Sequence, residues 1–74
     1  MPTLVTGATG FLGSHIARKL AERGEKVRIL IRQSSKTVNI DDIDAERVYG
    51  DVTDMASVRK AMEGCDTLYH AAGL

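Results

Sequence analysis

Three glycines stand three apart in Thr6-Gly7-Ala8-Thr9-Gly10-Phe11-Leu12-Gly13, a spacing that brings backbone close to backbone or to a ligand. Gly7 can turn the chain sharply, with a positive φ that costs glycine little. Gly10 removes a side chain where an oxygen-rich ligand has to approach the main chain, and Gly13 lets a following helix pack closely on the preceding strand. A helix opening at Phe11 carries unpaired N–H groups and the positive end of its dipole, so the loop is suited to phosphate or pyrophosphate. The pattern is G-x-x-G-x-x-G, not G-x-G-x-x-G, and it is no Walker A loop because no Gly-Lys-Ser/Thr follows. The plain alternative is a tight turn without a ligand. Its place between a strand pattern and a helix pattern favours the anion site.

The elements around this loop alternate. Thr3–Thr6 is a short β-prone run ended by Gly7. From Phe11 to Arg23, Leu12, Ile16 and Leu20 form an apolar stripe at i, i+4 and i+8, and Gly24 is placed to end the helix in a left-handed cap. Val27–Ile31 is almost continuously apolar, as strands covered on both faces are. Residues 33–44 are polar, with Val38, Ile40 and Ile43 able to give one or two helical turns. Arg47–Tyr49 reads as a third strand stopped by Gly50. Asp54 is the expected N-cap of a helix to about Glu63, buried along Val58, Ala61 and Met62. Thr67–His70 is a fourth strand, running into Ala71-Ala72-Gly73. This order predicts an α/β fold with a parallel sheet, right-handed connections and strand order 3-2-1-4, and places a ligand crevice where the order reverses.

The chain has 74 residues and no net charge, enough for one domain of modest stability. The charge is uneven: seven basic and two acidic residues lie up to Ile40, three basic and eight acidic after it. The basic residues are dispersed and without interleaved aromatics, which argues against a nucleic-acid surface and for a small phosphorylated ligand. No apolar run approaches the roughly 18 residues of a membrane span. No basic segment followed by an apolar one opens the chain, so the expected compartment is cytoplasmic. The single cysteine, Cys65, excludes an internal disulfide and reads as a small buried or half-buried filler in preference to a reactive thiol. His15 reads as a surface or edge residue and His70 as a packed, hydrogen-bonded strand residue, and the two are too isolated to make a metal site.

The Thr6–Gly13 loop resembles the TGxxGxxG loop of the short-chain dehydrogenase/reductase superfamily, and TGATGFLG is especially similar to that of its extended branch, which includes nucleotide-sugar epimerases and dehydratases, dihydroflavonol-reductase-like enzymes and hydroxysteroid dehydrogenases. The resemblance implies a Rossmann-type sheet truncated after its fourth strand, with Thr6, Gly7, Thr9, Gly10, Phe11, Leu12 and Gly13 at the cofactor. In NAD-preferring relatives the second strand ends in an acid that bonds the ribose hydroxyls. Here that position is Ile31, followed by Arg32, Ser35 and Lys36. A guanidinium forks onto a 2′-phosphate that an acid would repel, so NADP is the expected cofactor and NAD the alternative. Gly50-Asp51-Val52-Thr53-Asp54 is similar to the family's adenine segment, with Asp51 accepting from the amino group and the Val52 backbone beside the ring. A turn and helix cap would account for the same residues. His70-Ala71-Ala72-Gly73 resembles an H-x-A-A segment, whose small residues Ala71, Ala72 and Gly73 let the backbone pass under the nicotinamide ribose and phosphates.

In this superfamily the resemblance assigns acid/base chemistry to a Tyr-x-x-x-Lys pair with a Ser or Thr. Tyr49 and Tyr69 are followed four residues on by Thr53 and Gly73, so this chain by itself is expected to be inactive. It reads as one partial dinucleotide-binding domain over residues 1–74, with the catalytic and substrate-binding parts absent and the parent a reductase or an epimerase/dehydratase. A non-catalytic NADP-sensing regulator and a stand-alone minimal binding module are the other readings. The uncharged fourth strand is expected to form an exposed edge, leading to self-association through it or to a partly disordered terminus.

Overall fold

A computed structural model describes residues 2–71. Strand β1 (Thr3–Thr6) leads through the glycine loop into helix α1 (Phe11–Glu22). Strand β2 (Val27–Ile31) is joined by a turn-rich connection to β3 (Glu46–Tyr49), then helix α2 (Met55–Met62) and strand β4 (Thr67–His70). The sheet has the order β3-β2-β1-β4 with every pair parallel. Thr6 therefore lies beside Leu30 on one side and His70 on the other, which gathers the C-terminal ends of three strands around the loop. This is the order read from the sequence, and it follows from strands that alternate with helical crossovers.

Alternation along the strands divides the core in two. Val5, Ile29 and Ile31 meet Ala17 and Leu20 of α1, and Leu4 and Leu30 meet Ala61 of α2. Gly24, at φ 83°, turns the chain after α1 as its position predicted. Asp54 caps α2, its carboxylate accepting from the N–H of Ala56 at 3.1 Å. The third strand begins at Glu46, one residue before the expected start, and Arg23 is the C-cap of α1 instead of its last residue.

Two expectations are corrected. The buried face of α1 is Gly13, Ser14, Ala17 and Leu20, whereas Leu12 is 51% exposed. Small residues face inward because the helix start lies against the glycine-loop backbone, where a leucine would not fit. Residues 33–44 form turns, with the Ile40 N–H donating to the Thr37 carbonyl and the Ile43 N–H to that of Ile40, and no helix. Ile40 and Ile43 nonetheless join the α1-side core while Val38 is exposed. Burial of these two side chains, at about 1.5–3 kcal/mol each, holds down a connection that has no regular backbone ladder. No helix among the described residues is long and apolar enough to cross a membrane.

Candidate functional site

Gly7 has φ 73°, a conformation open to glycine at low cost. Its carbonyl accepts from the Gly10 N–H at 3.1 Å, closing the turn. Gly10 is the N-cap of α1, with no side-chain cap and no acidic residue in the first turn. The first helical hydrogen bond runs from Ser14 N–H to the Gly10 carbonyl. The N–H groups of Phe11, Leu12 and Gly13 thus have no acceptor among the described residues, and their positive end opens beside the strand termini. The end of α2 differs, since Asp54 already occupies it. A Cβ on Gly13 would lie 2.1 Å from the Gly7 oxygen and 2.6 Å from the Gly7 carbonyl carbon. The glycine is needed for contact with the loop backbone, and the close packing on the strand expected from the sequence is in fact packing on Gly7 and Ala8.

Around the loop lies a cleft of about 210 Å³. Gly7 and Thr9 form one wall, Leu30, Ile31, Arg32 and Ser35 the second, and Gly50, Asp51, Val52 and Thr53 the third. Three stretches widely separated in sequence therefore meet at the ends of β1, β2 and β3. A larger hollow of about 490 Å³ lies at the opposite ends of the strands, lined by Pro2, Gly24, Lys26 and Glu46 among others. It has no helix N-terminus and none of the residues selected for phosphate chemistry, so size does not identify the site.

Ile31 is buried in the α1-side core and Arg32 is exposed at the end of β2, with its carbonyl accepting from the Ser35 N–H at 3.0 Å. The Asp51 carboxylate accepts from both the N–H and the hydroxyl of Thr53 through Oδ1, at 2.9 and 2.8 Å. These bonds, with the nearby Arg32 charge, hold its carboxyl below the usual range. Asp51 thus makes a turn of its own, and its Oδ2 accepts no hydrogen bond among the described residues. Val52 is half-buried against the α2-side core. A Cβ on Gly50 would come within 2.9 Å of the Ser57 side chain and 3.1 Å of Leu30. This close approach brings α2 up to the cleft; the sequence marked Gly50 only as a strand end.

Other expected site residues stand apart. Phe11 and Leu12 are exposed beside the loop and Lys36 is exposed beyond Ser35, none of them lining the cleft. Thr6 is buried, with its hydroxyl 2.6 Å from Nδ1 of His70. His70 is hydrogen-bonded as expected but exposed where packing was expected. Ala71 is buried and donates its N–H to the Thr6 carbonyl at 3.1 Å. Ala72 and Gly73 lie outside the described residues. Cys65 is half-buried, with Arg28 Nη1 at 3.4 Å from its sulfur. Two residues passed over in the sequence, Asn39 and Arg18, bond into the loop's surroundings: Asn39 Nδ2 donates to the Thr9 carbonyl at 3.0 Å. Among the described residues no cluster of His, Cys, Asp or Glu could hold a metal ion.

A parallel 3-2-1-4 sheet with a glycine loop opening a helix at its switch point defines a Rossmann-type fold. The sequence model of the NAD dependent epimerase/dehydratase family matches residues 3–74, and the chain belongs to that family. It is 53% identical over 72 residues to sterol demethylase protein B of Methylococcus capsulatus, covering 97% of this chain and 22% of that protein. It is 37% identical over 70 residues to ceramide reductase of Caulobacter vibrioides, covering 95% of this chain and 22% of that one. The WbmH enzyme of Bordetella bronchiseptica, solved in complex with NAD+, superposes with a TM-score of 0.82 at 28% identity, over 99% of this chain and 26% of its own. The chain thus spans about a fifth to a quarter of the length of these relatives.

Proposed function

We propose that the chain is the dinucleotide-binding portion of an NADP-dependent reductase of this family, inactive by itself. The observation that carries the reading is the end of β2: Ile31 is turned into the core, and Arg32 is exposed on the wall of a cleft that Gly7 and Thr9 of the glycine loop also line. The residues present fit a dinucleotide. The unpaired N–H groups of Phe11, Leu12 and Gly13 suit a pyrophosphate, Arg32 with Ser35 suits a 2′-phosphate, and Asp51 offers a carboxylate oxygen to an adenine amino group. A bound nicotinamide would supply or accept hydride. This chain's contribution is to bind and orient it, with Ala71 and, by the family resemblance, Ala72 and Gly73 under the ribose. The ceramide reductase relative supports the reductase reading.

The test is a titration with NADPH and NADH followed by amide NMR of Gly7–Gly13, Arg32 and Asp51. NADPH is expected to bind more tightly, and Arg32→Gln to erase about tenfold or more of that preference, the scale of a charged hydrogen bond. Equal affinities in the unsubstituted chain would remove Arg32 from that role.

A second reading is an NAD-using nucleotide-sugar epimerase or dehydratase. The family description and the NAD+ complex of WbmH favour it. Equal or tighter binding of NADH would select it. We place the same binding domain over the whole chain in both cases, together with self-association of the isolated chain through β4.

A further inference from the structure

The connection between β2 and β3 closes a hydrogen-bonded circuit on the glycine loop. The Thr9 carbonyl accepts from Asn39 Nδ2 at 3.0 Å. The backbone carbonyl of Asn39 accepts from Arg18 Nη2 at 2.9 Å. The Arg18 guanidinium also forks onto Asp42, with Nε 3.2 Å from Oδ2 and Nη2 3.0 Å from Oδ1. Arg18 belongs to α1, the helix that the loop opens, so loop, connection and helix are tied in a ring. Ile40, wholly buried next to Asn39, anchors the connection in the core.

What this ring constrains is one peptide group. A peptide is planar, with its N–H and C=O pointing in opposite directions. In the Thr9–Gly10 peptide the N–H is held by the Gly7 carbonyl at 3.1 Å and the C=O by Asn39. Bonds at both ends fix the plane immediately before the three unpaired N–H groups of α1. Were the plane to rotate, the partially negative Thr9 oxygen could swing towards the anion site, and the glycines on either side of Ala8 and Thr9 offer little resistance to such a turn.

We infer that Asn39 is a positioning residue for phosphate binding: its side-chain amide, steadied by the Arg18–Asp42 pair, holds the Thr9 carbonyl away from the site and so aims the N-terminal N–H groups of α1 at the phosphates. The inference rests on the dinucleotide reading above and adds a residue distant in sequence from the loop. It also gives a role to the turn-rich connection, which carries Arg32 and Ser35 near its start and Asn39 at its middle. One segment thus links a 2′-phosphate contact to the shape of the pyrophosphate loop.

The test is Asn39→Asp, which keeps the shape but sets an acceptor against the Thr9 carbonyl, beside Asn39→Ala and Asp42→Asn. Three quantities are measured on each: hydrogen exchange of the Gly10–Gly13 amides without ligand, the Kd for NADPH, and stability in urea. Asn39→Asp is expected to speed exchange at Gly10 and raise the Kd about three- to tenfold, the worth of one hydrogen bond, with Asp42→Asn showing a smaller effect in the same direction. Both changes must exceed what the loss of global stability produces. An unchanged Kd in a folded Asn39→Asp chain overturns the inference, as does a Kd that rises with no change in exchange at Gly10. A wild-type chain that does not respond to NADPH overturns the functional reading and with it this role, and the exchange data then still report whether the clamp itself exists.

Discussion

Gly13 illustrates how a single missing atom shapes the site. A methyl group there would overlap backbone atoms of Gly7, which cannot rotate away as a side-chain tip would. Gly13→Ala is therefore expected to destabilise the fold by about 1–3 kcal/mol or more in urea unfolding, despite the better helix propensity of alanine. An unchanged midpoint would mean that the loop yields. Asp51 and Asp42 give a pH signature at the same scale. Hydrogen bonds from Thr53 and from Arg18, respectively, hold these carboxyls below their ordinary values. A carboxyl depressed by folding stabilises the native state above its unfolded value, and that contribution is lost as pH falls through the folded one. Stability and the Thr53 amide shift are thus expected to hold steady at neutral pH and to decline from about pH 4 downwards. Asp51→Asn should flatten the amide titration. A Thr53 amide that titrates above pH 5 would contradict the assignment.

The helices show where element-level reasoning held and where it failed. Asp54 and Gly24 were legible because each works through its own backbone: a carboxylate meets the N–H two residues on, and a glycine takes up positive φ. Asp54→Ala should cost about 1 kcal/mol, seen as a lower thermal midpoint with early fraying of α2. The facing of α1 was less legible. Apolar spacing selects Leu12, Ile16 and Leu20, but contact with the loop turns Gly13, Ala17 and Leu20 inward. Periodicity weighs hydrophobic area and does not register how close two backbones come. Leu12→Gln is accordingly expected to change stability by within about 0.5 kcal/mol, and Ala17→Leu to cost about 1–3 kcal/mol by overpacking. The reverse ranking would restore the stripe read from the sequence. The β2–β3 connection resisted reading for a similar reason. Its order comes from Ile40, Ile43 and the contacts of Arg18 and Asn39 across 21 or more residues, which no local pattern announces.

Across the whole molecule, the two edges of the sheet differ in how they are protected. On β3 the exposed Glu46 bonds Arg28 at 3.0 Å and Arg47 reaches Asp41 at 3.1 Å, so charged side chains flank that edge. On β4 every residue is exposed, none of Thr67, Leu68, Tyr69 and His70 carries a fixed charge, and Leu68 and Tyr69 point apolar surface to opposite faces at 43% exposure each. Among the described residues β4 is paired on one side, with β1, so its outer N–H and C=O groups can accept another strand. Unprotected edges of this kind pair with whatever strand is available. The isolated chain is expected to show concentration-dependent association in sedimentation. Leu68→Lys with Tyr69→Lys should shift it towards monomer, while leaving the Thr6–His70 contact and the glycine-loop amide shifts in place. Association that persists unchanged in this double variant would move the contact elsewhere, and the exposed Phe11 and Val38 would be the next surfaces to charge. A wild-type chain that sediments as a monomer at all concentrations would show that one short edge strand, paired on its inner side alone, is too little to hold two copies together.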